Sequence, residues 1–310
     1  MVPGAPIGGP RKEGTVPHDL RHDLLELPWV DVKRWLEFTD VVLVPMGSCE
    51  KHGPHIPLGT DSYVTIEAVQ QAARLSDVPH APLVPIGFSP HHMGEPGWGT
   101  GTISLPADTF RDVLWGIGKS LIYAGFNKLI FVSHHGSNSR PMEEALRRLR
   151  FECGAFTAWY KTPTERETSV LKDVLEGPPE ETPGWHSGEL ETAAMMAYAE
   201  DHHLPGAVRM ERAKPDRAHA PKWMGPAFSK RDGMGTVIFR NSENIFVPMN
   251  HHEYCDTATI GNPLRNTSVE KGRRIFEKMA AHLAAFVDEV KKIEVRVPDE
   301  KRDWPNRGWF

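Results

Sequence analysis

Four short apolar runs, at residues 41–44, 83–86, 128–132 and 155–159, are separated by amphipathic stretches, and that alternation limits the fold more than any other feature. A helix-length crossover joins parallel neighbours, and right-handed β-α-β units in series bury a sheet under helices on both faces. The stretches at 62–75, 107–123, 140–151, 189–198 and 269–290 carry apolar residues at helical spacing and are expected to be the covering helices. The expectation is therefore an α/β domain of three layers, α/β/α, with a mainly parallel sheet. A chain of 310 residues can bury roughly three quarters of its unfolded surface, so no covalent staple is needed.

Residues 1–20 read as a flexible N-terminal arm, and residues 21–310 as a single domain. Two Pro-containing stretches, near 160–185 and 203–250, interrupt the rhythm as long insertions placed to close over a site or meet another subunit. Residues 236–247 alternate enough to suggest a hairpin. The charge balance, 36 Lys and Arg against 41 Asp and Glu for a net −5, supplies no field for a phosphate backbone, so nucleic acid is not expected as a partner. No apolar leader opens the chain and no membrane-spanning run occurs, so no membrane is expected either. Three cysteines, Cys49, Cys153 and Cys255, fit reduced thiols in a cytoplasmic protein better than a disulfide framework.

The expected sheet matters because two polar clusters fall at the carboxyl ends of its strands, and a third lies just ahead of a helix. GSCEKHGPHIPLGTD, residues 47–61, follows the first apolar run and so lies at a strand's carboxyl end, where open α/β sheets place their sites. On an extended backbone Glu50 and His52 point the same way and can approach one ion together, while Asp61 returns after Pro54, Pro57 and Gly59 and can bridge two. Carboxylates with imidazole and no thiolate suit Zn, Mn or a similar divalent ion. The same residues also fit a polar surface loop, with Glu50 in an ion pair and His52 bonded to backbone.

SHHGSN, residues 133–138, follows the most apolar run, and of its adjacent histidines at most one is an easy ligand. HSGELET, residues 186–192, leads into a helix; Glu191 would sit in its first turn, where the dipole favours a carboxylate with or without a metal. His186, just ahead of it, is a candidate general acid or base. His91, His92, Trp185 and Glu189 are candidates for touching a substrate, whereas His251 and His252 read as structural or interfacial.

Together the three segments resemble, in order, the signatures of the creatininase family, and GTISLPADTF at 101–110 is similar to the family's glycine-threonine and leucine segment. The resemblance spans roughly residues 38–290. It implies a layered α/β hydrolase, commonly hexameric, that binds two divalent metal ions, Zn and/or Mn. Glu50, His52, Asp61, His135 and Glu191 would be the ligands, Asp61 the bridge, and His186 the proton shuttle. Family members that hydrolyse creatinine carry a glutamate ligand two residues after the histidine of the second motif; Ser137 stands there in this chain, which points away from creatinine.

The functional expectation is thus hydrolysis of a small carbonyl compound, most simply a cyclic or linear amide, by a homo-oligomer. Ring-opening C–C hydrolysis of a cyclic diketone such as 3-dehydro-scyllo-inosose, as in inositol catabolism, is the enzymatic alternative. A non-catalytic metal- or ligand-binding protein is the alternative outside enzymology.

Overall fold

A computed structural model describes residues 16–163, 168–177, 186–230 and 235–303; most of the expected N-terminal arm, much of the 160–185 stretch and Trp185 lie outside them. Among the described residues the helices are α1 Trp29–Leu36, α2 Thr60–Leu75, α3 Ala107–Ala124, α4 Ser139–Cys153, a single turn α5 Thr168–Leu171, α6 Glu189–Asp201, a second single turn α7 His251–Tyr254, and α8 Val269–Lys291. The strands β1 Val41–Pro45, β2 Lys128–Ser133 and β3 Phe156–Lys161 form one sheet in the order β1-β2-β3. Both of its ladders are parallel.

Alternation along the strands builds the layers. Val42 and Val44 of β1, with their register neighbours Leu129 and Phe131 of β2, pack against Phe110, Leu114 and Ile122 of α3 and Met142 and Leu149 of α4. Val41, Leu43, Ile130 and Val132 point the other way, onto Val69 and Ala72 of α2 and Leu283 and Val287 of α8. Each such side chain is fully buried, worth roughly 1.5–3 kcal/mol of transfer free energy. α6 lies outside this second layer, packed on α2 and α8 through Ala193, Ala197, Ile275 and Met279. Helices on both faces of a parallel sheet are the architecture the sequence pattern predicts.

The run at 83–86 does not form the expected ladder strand. It lies beside β1 but makes only the isolated parallel bridge Met46–Val84, while His80 just before it bridges Leu43 and Asp23. Pro85 lies within it and Pro79 and Pro82 just ahead of it, and each removes an N–H that a ladder would use. The 236–247 hairpin is present. β5 Thr236–Phe239 and β6 Ser242–Phe246 pair antiparallel, with the two-residue strand β4 Phe228–Ser229 beside β5. Arg240 and Asn241 at its tip both have positive φ, 48° and 66°, the conformation that a tight primed turn requires.

Candidate metal centre

Pro45 and Val132 are register partners, so the loop after β1 and the turn after β2 leave the sheet side by side. The first carries Glu50 and His52, the second His134 and His135. α2 and α6 present Asp61 and Glu191 in their first turns, where unpaired backbone N–H groups favour a carboxylate. All six side chains belong to residues at most 5% exposed.

His135 Nδ1 lies 3.2 Å from Glu50 Oε2 and 3.3 Å from Asp61 Oδ2. His52 Nε2 lies 3.6 Å from that same Asp61 oxygen and 3.6 Å from Glu191 Oε2. The result is two buried triads, Glu50–Asp61–His135 and His52–Asp61–Glu191, that share Asp61. Glu50 and His52 approach to 4.0 Å and, besides standing on either side of Asp61, belong together to a further buried group with His186.

Whether these residues fit a metal is decided by which nitrogens carry protons. A carbonyl oxygen only accepts, so His52 Nδ1, 3.0 Å from Glu50 O, and His135 Nε2, 3.0 Å from Phe88 O, are N–H donors. The inward nitrogen of each ring is then the one available to an ion. His52 Nε2 is buried there without a hydrogen-bond partner among the described residues. Outward N–H groups held by carbonyls are what fixes histidine ligands in metal sites, and three carboxylates with two imidazoles suit a hard or borderline divalent cation. The donors fit.

The electrostatics point the same way. Burial opposes a charge on His52, but Asp61, Glu191 and Glu50 outweigh it and raise its pKa to about 10. His135 is likewise driven well above its ordinary value, against burial, by Glu50 and Asp61. Asp61 is held well below the usual carboxylate value although burial opposes that, because His52 and His135 face it. The carboxylates thus demand positive charge from whatever can supply it.

Surrounding groups hold the donors in place. Ser48 Oγ donates to Asp61 Oδ2 at 2.6 Å. His134 Nε2 donates to Glu191 Oε1 at 3.1 Å while Thr162 Oγ1 bonds its Nδ1, so the first histidine of the second motif orients a carboxylate of the third. Ser187 N donates to the other Glu191 oxygen.

His186 stacks on His52 with ring centroids 4.2 Å apart. Its Nε2 donates to Lys51 O at 2.6 Å, which leaves Nδ1 as the free nitrogen, 3.9 Å from Glu50 Oε1. Burial, then the charge on His52, keeps the ring neutral. His186 lines, with Glu50, Asp61, His135 and Glu191, a cavity of about 50 Å³, enough for a few waters or a small reacting group. His91, Gly136, Ser137 and Tyr254 border both this cavity and an outer pocket of about 350 Å³ whose walls include Arg140, Phe246 and Met249.

Of the other candidates, His91 and His92 line the inner cavity, His91 Nε2 standing 3.4 Å from Ser137 Oγ. Glu189 does not reach it. Its carboxylate accepts from Lys271 Nζ at 2.7 Å and from the backbone N–H groups of Glu176 and Gly177. Residues 189 and 191 of a helix lie about 200° apart, so when Glu191 faces the centre Glu189 faces away. The converse surprise is His251, which the sequence places among structural or interfacial residues and which stands on the cavity wall, 1% exposed. A local signal existed in Asn250 and Glu253, whose capping box fixes the turn that carries it, but nothing local indicated where the turn docks.

Fold and donor set together define a metal-dependent hydrolase of the α/β class. The chain belongs to the creatininase family, whose model, described as creatinine amidohydrolase, matches residues 25–287. A 3-dehydro-scyllo-inosose hydrolase of Thermotoga maritima is 29% identical over 187 residues, which are 58% of this chain but only 57% of that protein. A mycofactocin precursor peptide peptidase of Mycobacterium tuberculosis is 30% identical over 251 residues, 77% of this chain and 80% of the peptidase. The crystal structure of a creatinine amidohydrolase has the same fold, with a TM-score of 0.64 at 22% identity over 88% of this chain and 99% of that one. Related creatininase structures include a Mn form and a Zn-Zn type.

Proposed function

We propose that this protein is a two-ion metal hydrolase that cleaves a small carbonyl compound, most simply at a cyclic or linear amide. One observation carries the reading: two triads share a single Asp61 oxygen, and in both the imidazole's outward N–H is tied to a backbone carbonyl. Glu50, Asp61 and His135 would hold one ion, His52, Asp61 and Glu191 the other, with Zn or Mn as the matching metals. Such ions polarise a carbonyl and acidify water.

The chain's own groups do the rest. His186 enters the reaction neutral, its Nε2–H anchored on Lys51 O, so its first act is to accept a proton at Nδ1 from the attacking water. The same nitrogen then returns that proton to the departing nitrogen, and the ring ends as it began. The buried walls exclude bulk water from this exchange.

Ser137 helps to define the substrate. Where creatinine-hydrolysing relatives have a ligand glutamate, this small side chain borders both the inner cavity and the outer pocket, leaving room for a substrate that extends beyond the reacting carbonyl. A ring-opening C–C hydrolysis of a polyhydroxylated diketone is the second reading, favoured by the Thermotoga maritima relative. In that case His186 would return its proton to carbon. The free cysteines support a reducing, cytoplasmic setting. Exposed Leu25, Trp29 and Val30 support burial against further copies, in line with a hexamer.

The test is a panel of cyclic amides, formamides, short peptides and ring diketones offered to Zn- and Mn-loaded protein, with metal content measured per chain. Two ions per chain and turnover of one class are expected. A protein that binds no divalent ion, or that unfolds on chelation and hydrolyses nothing, would be a structural metal protein or none.

A further inference from the structure

The end of the second motif and the hairpin of the 203–250 insertion meet around the outer pocket of about 350 Å³. It shares His91, Gly136, Ser137 and Tyr254 with the inner cavity, so a group seated in it would lie next to the carbonyl under attack. Phe88, Pro90, Pro248 and Met249 give it apolar walls.

Two side chains, Arg140 and Glu253, bring charge to those walls. Glu253 is engaged on both oxygens, Oε2 accepting from Asn250 N at 2.6 Å and Oε1 from Trp223 Nε1 at 2.8 Å. Arg140 has neither a carboxylate nor a hydrogen-bond acceptor among the described residues. Its guanidinium lies instead over the Phe246 ring, 4.3 Å from the centroid, a contact that steadies the planar fork and leaves its N–H donors unspent.

That shelf is built, not incidental. A Cβ at residue 235 would stand 2.3 Å from Phe246 Cε2, so the ring lies where it does because Gly235 has no side chain. Val247 N donates to Gly235 O at 2.8 Å and pins the strand behind it. Asn138 and Ser139 both have right-handed helical backbone, which puts Arg140 about one helical turn beyond Ser137, the residue at the junction of the two spaces. An exposed arginine is ordinarily just solvated; this one stands on a pocket wall, stacked on an aromatic ring, with no acid to neutralise it.

We propose that the outer pocket is a substrate subsite in which Arg140 binds an anionic group, a carboxylate or a phosphate, carried by the substrate beyond an apolar linker from the reacting carbonyl. The guanidinium fork matches either anion with two parallel N–H bonds. The inference rests on the hydrolase reading and narrows it: the substrate is an acidic carbonyl compound. It favours the amide over the neutral polyhydroxylated ring, which offers Arg140 no charge.

The test is a matched series of amides with one reacting bond and one phenyl-containing linker, ending in a carboxylate, a phosphate, a neutral carboxamide or an ammonium group. With Zn- or Mn-loaded protein, kcat/KM for one of the two anionic members should exceed that for the carboxamide by about tenfold, and which member leads identifies the anion. Arg140→Gln should erase the advantage by raising KM, Arg140→Lys should keep part of it, and Arg140→Glu should turn the preference toward the ammonium member. Rising ionic strength should shrink the advantage in the native protein. Arg140 is exposed and belongs to neither triad, so metal per chain and unfolding midpoint should match the native values in all three variants. Calorimetric titration reads the subsite without turnover: phenylbutyrate should bind about tenfold more weakly to Arg140→Gln than to native protein.

Equal kcat/KM for charged and neutral members, or an advantage that survives Arg140→Gln, would overturn the subsite and leave the hydrolase intact. Phenylbutyrate binding that is the same in both proteins would do so too, since the acid would then be held by the metal ions alone. Arg140-dependent binding in a protein that turns over no member of the series or of the wider panel would overturn the hydrolase reading, and the substrate's place in the pocket with it.

Discussion

Asp61 is the side chain on which most depends, because its Oδ2 lies 3.3 Å from His135 Nδ1 and 3.6 Å from His52 Nε2 and so belongs to both triads. Asp61→Ala is expected to lose both ions, read as near-zero metal by elemental analysis together with loss of turnover; a variant that keeps one ion would show that the sites are independent. His186→Ala separates chemistry from binding. Removing a proton-transfer group costs about 10²–10⁴-fold in turnover, while no donor in either triad is touched, so metal content should match the native protein. Glu50, His52 and Asp61 were readable from one loop because the loop itself brings them together. His135 and Glu191 were readable only through family resemblance, since their meeting depends on strand register and helix docking. Glu189, a candidate for touching a substrate, is turned away to Lys271 by the helical rotation of about 200° between it and Glu191. His251 was hidden for the opposite reason, as its contact with His92 spans 159 residues.

Elements, more than loops, set how tightly Glu191 is held. α6 reaches the centre only by lying close on α8, and Gly272 is what permits the approach: a Cβ there would stand 2.0 Å from Ala193 O and 2.7 Å from the Ala197 side chain. Alanine is the better helix former by about 1 kcal/mol, but overpacking a dense contact against backbone costs about 1–3 kcal/mol or more, so the clash wins. Gly272→Ala should lower the unfolding midpoint by several degrees in calorimetry and weaken zinc binding by tilting the first turn of α6; an unchanged midpoint would mean the two helices slide apart freely. The sequence announced these elements well, because apolar spacing records burial directly. It failed at 83–86, where apolar character was present but recurrent proline left too few donors for a ladder, a constraint that acts on the backbone instead of on the side-chain pattern.

At the scale of the whole molecule, the buried centre couples stability to both metal and pH. Without an ion, His52 has its pKa raised to about 10 by Asp61, Glu191 and Glu50, against the opposing effect of burial. A group whose folded pKa exceeds its unfolded one stabilises the fold fully below the unfolded value, near 6.5, and loses that contribution as pH rises through the folded value. The chelated protein should therefore lose stability between about pH 6.5 and 10 as the proton that balances the carboxylates leaves. An ion needs the same nitrogen bare, so protons compete with it, and its affinity should climb across the same window by up to tenfold per pH unit for each proton displaced. His135, raised well above its ordinary value by Glu50 and Asp61, adds to the competition in the same sense. The expected result in paired melts at pH 7 and pH 9 is that the gap between zinc-loaded and chelated midpoints widens at the higher pH. Calorimetric titration at pH 7 in two buffers of different ionisation enthalpy should show proton release on zinc binding. A gap that narrows with rising pH, or binding heats independent of buffer, would mean that the imidazoles are already neutral before the metal arrives, and that the carboxylates find their compensating charge elsewhere.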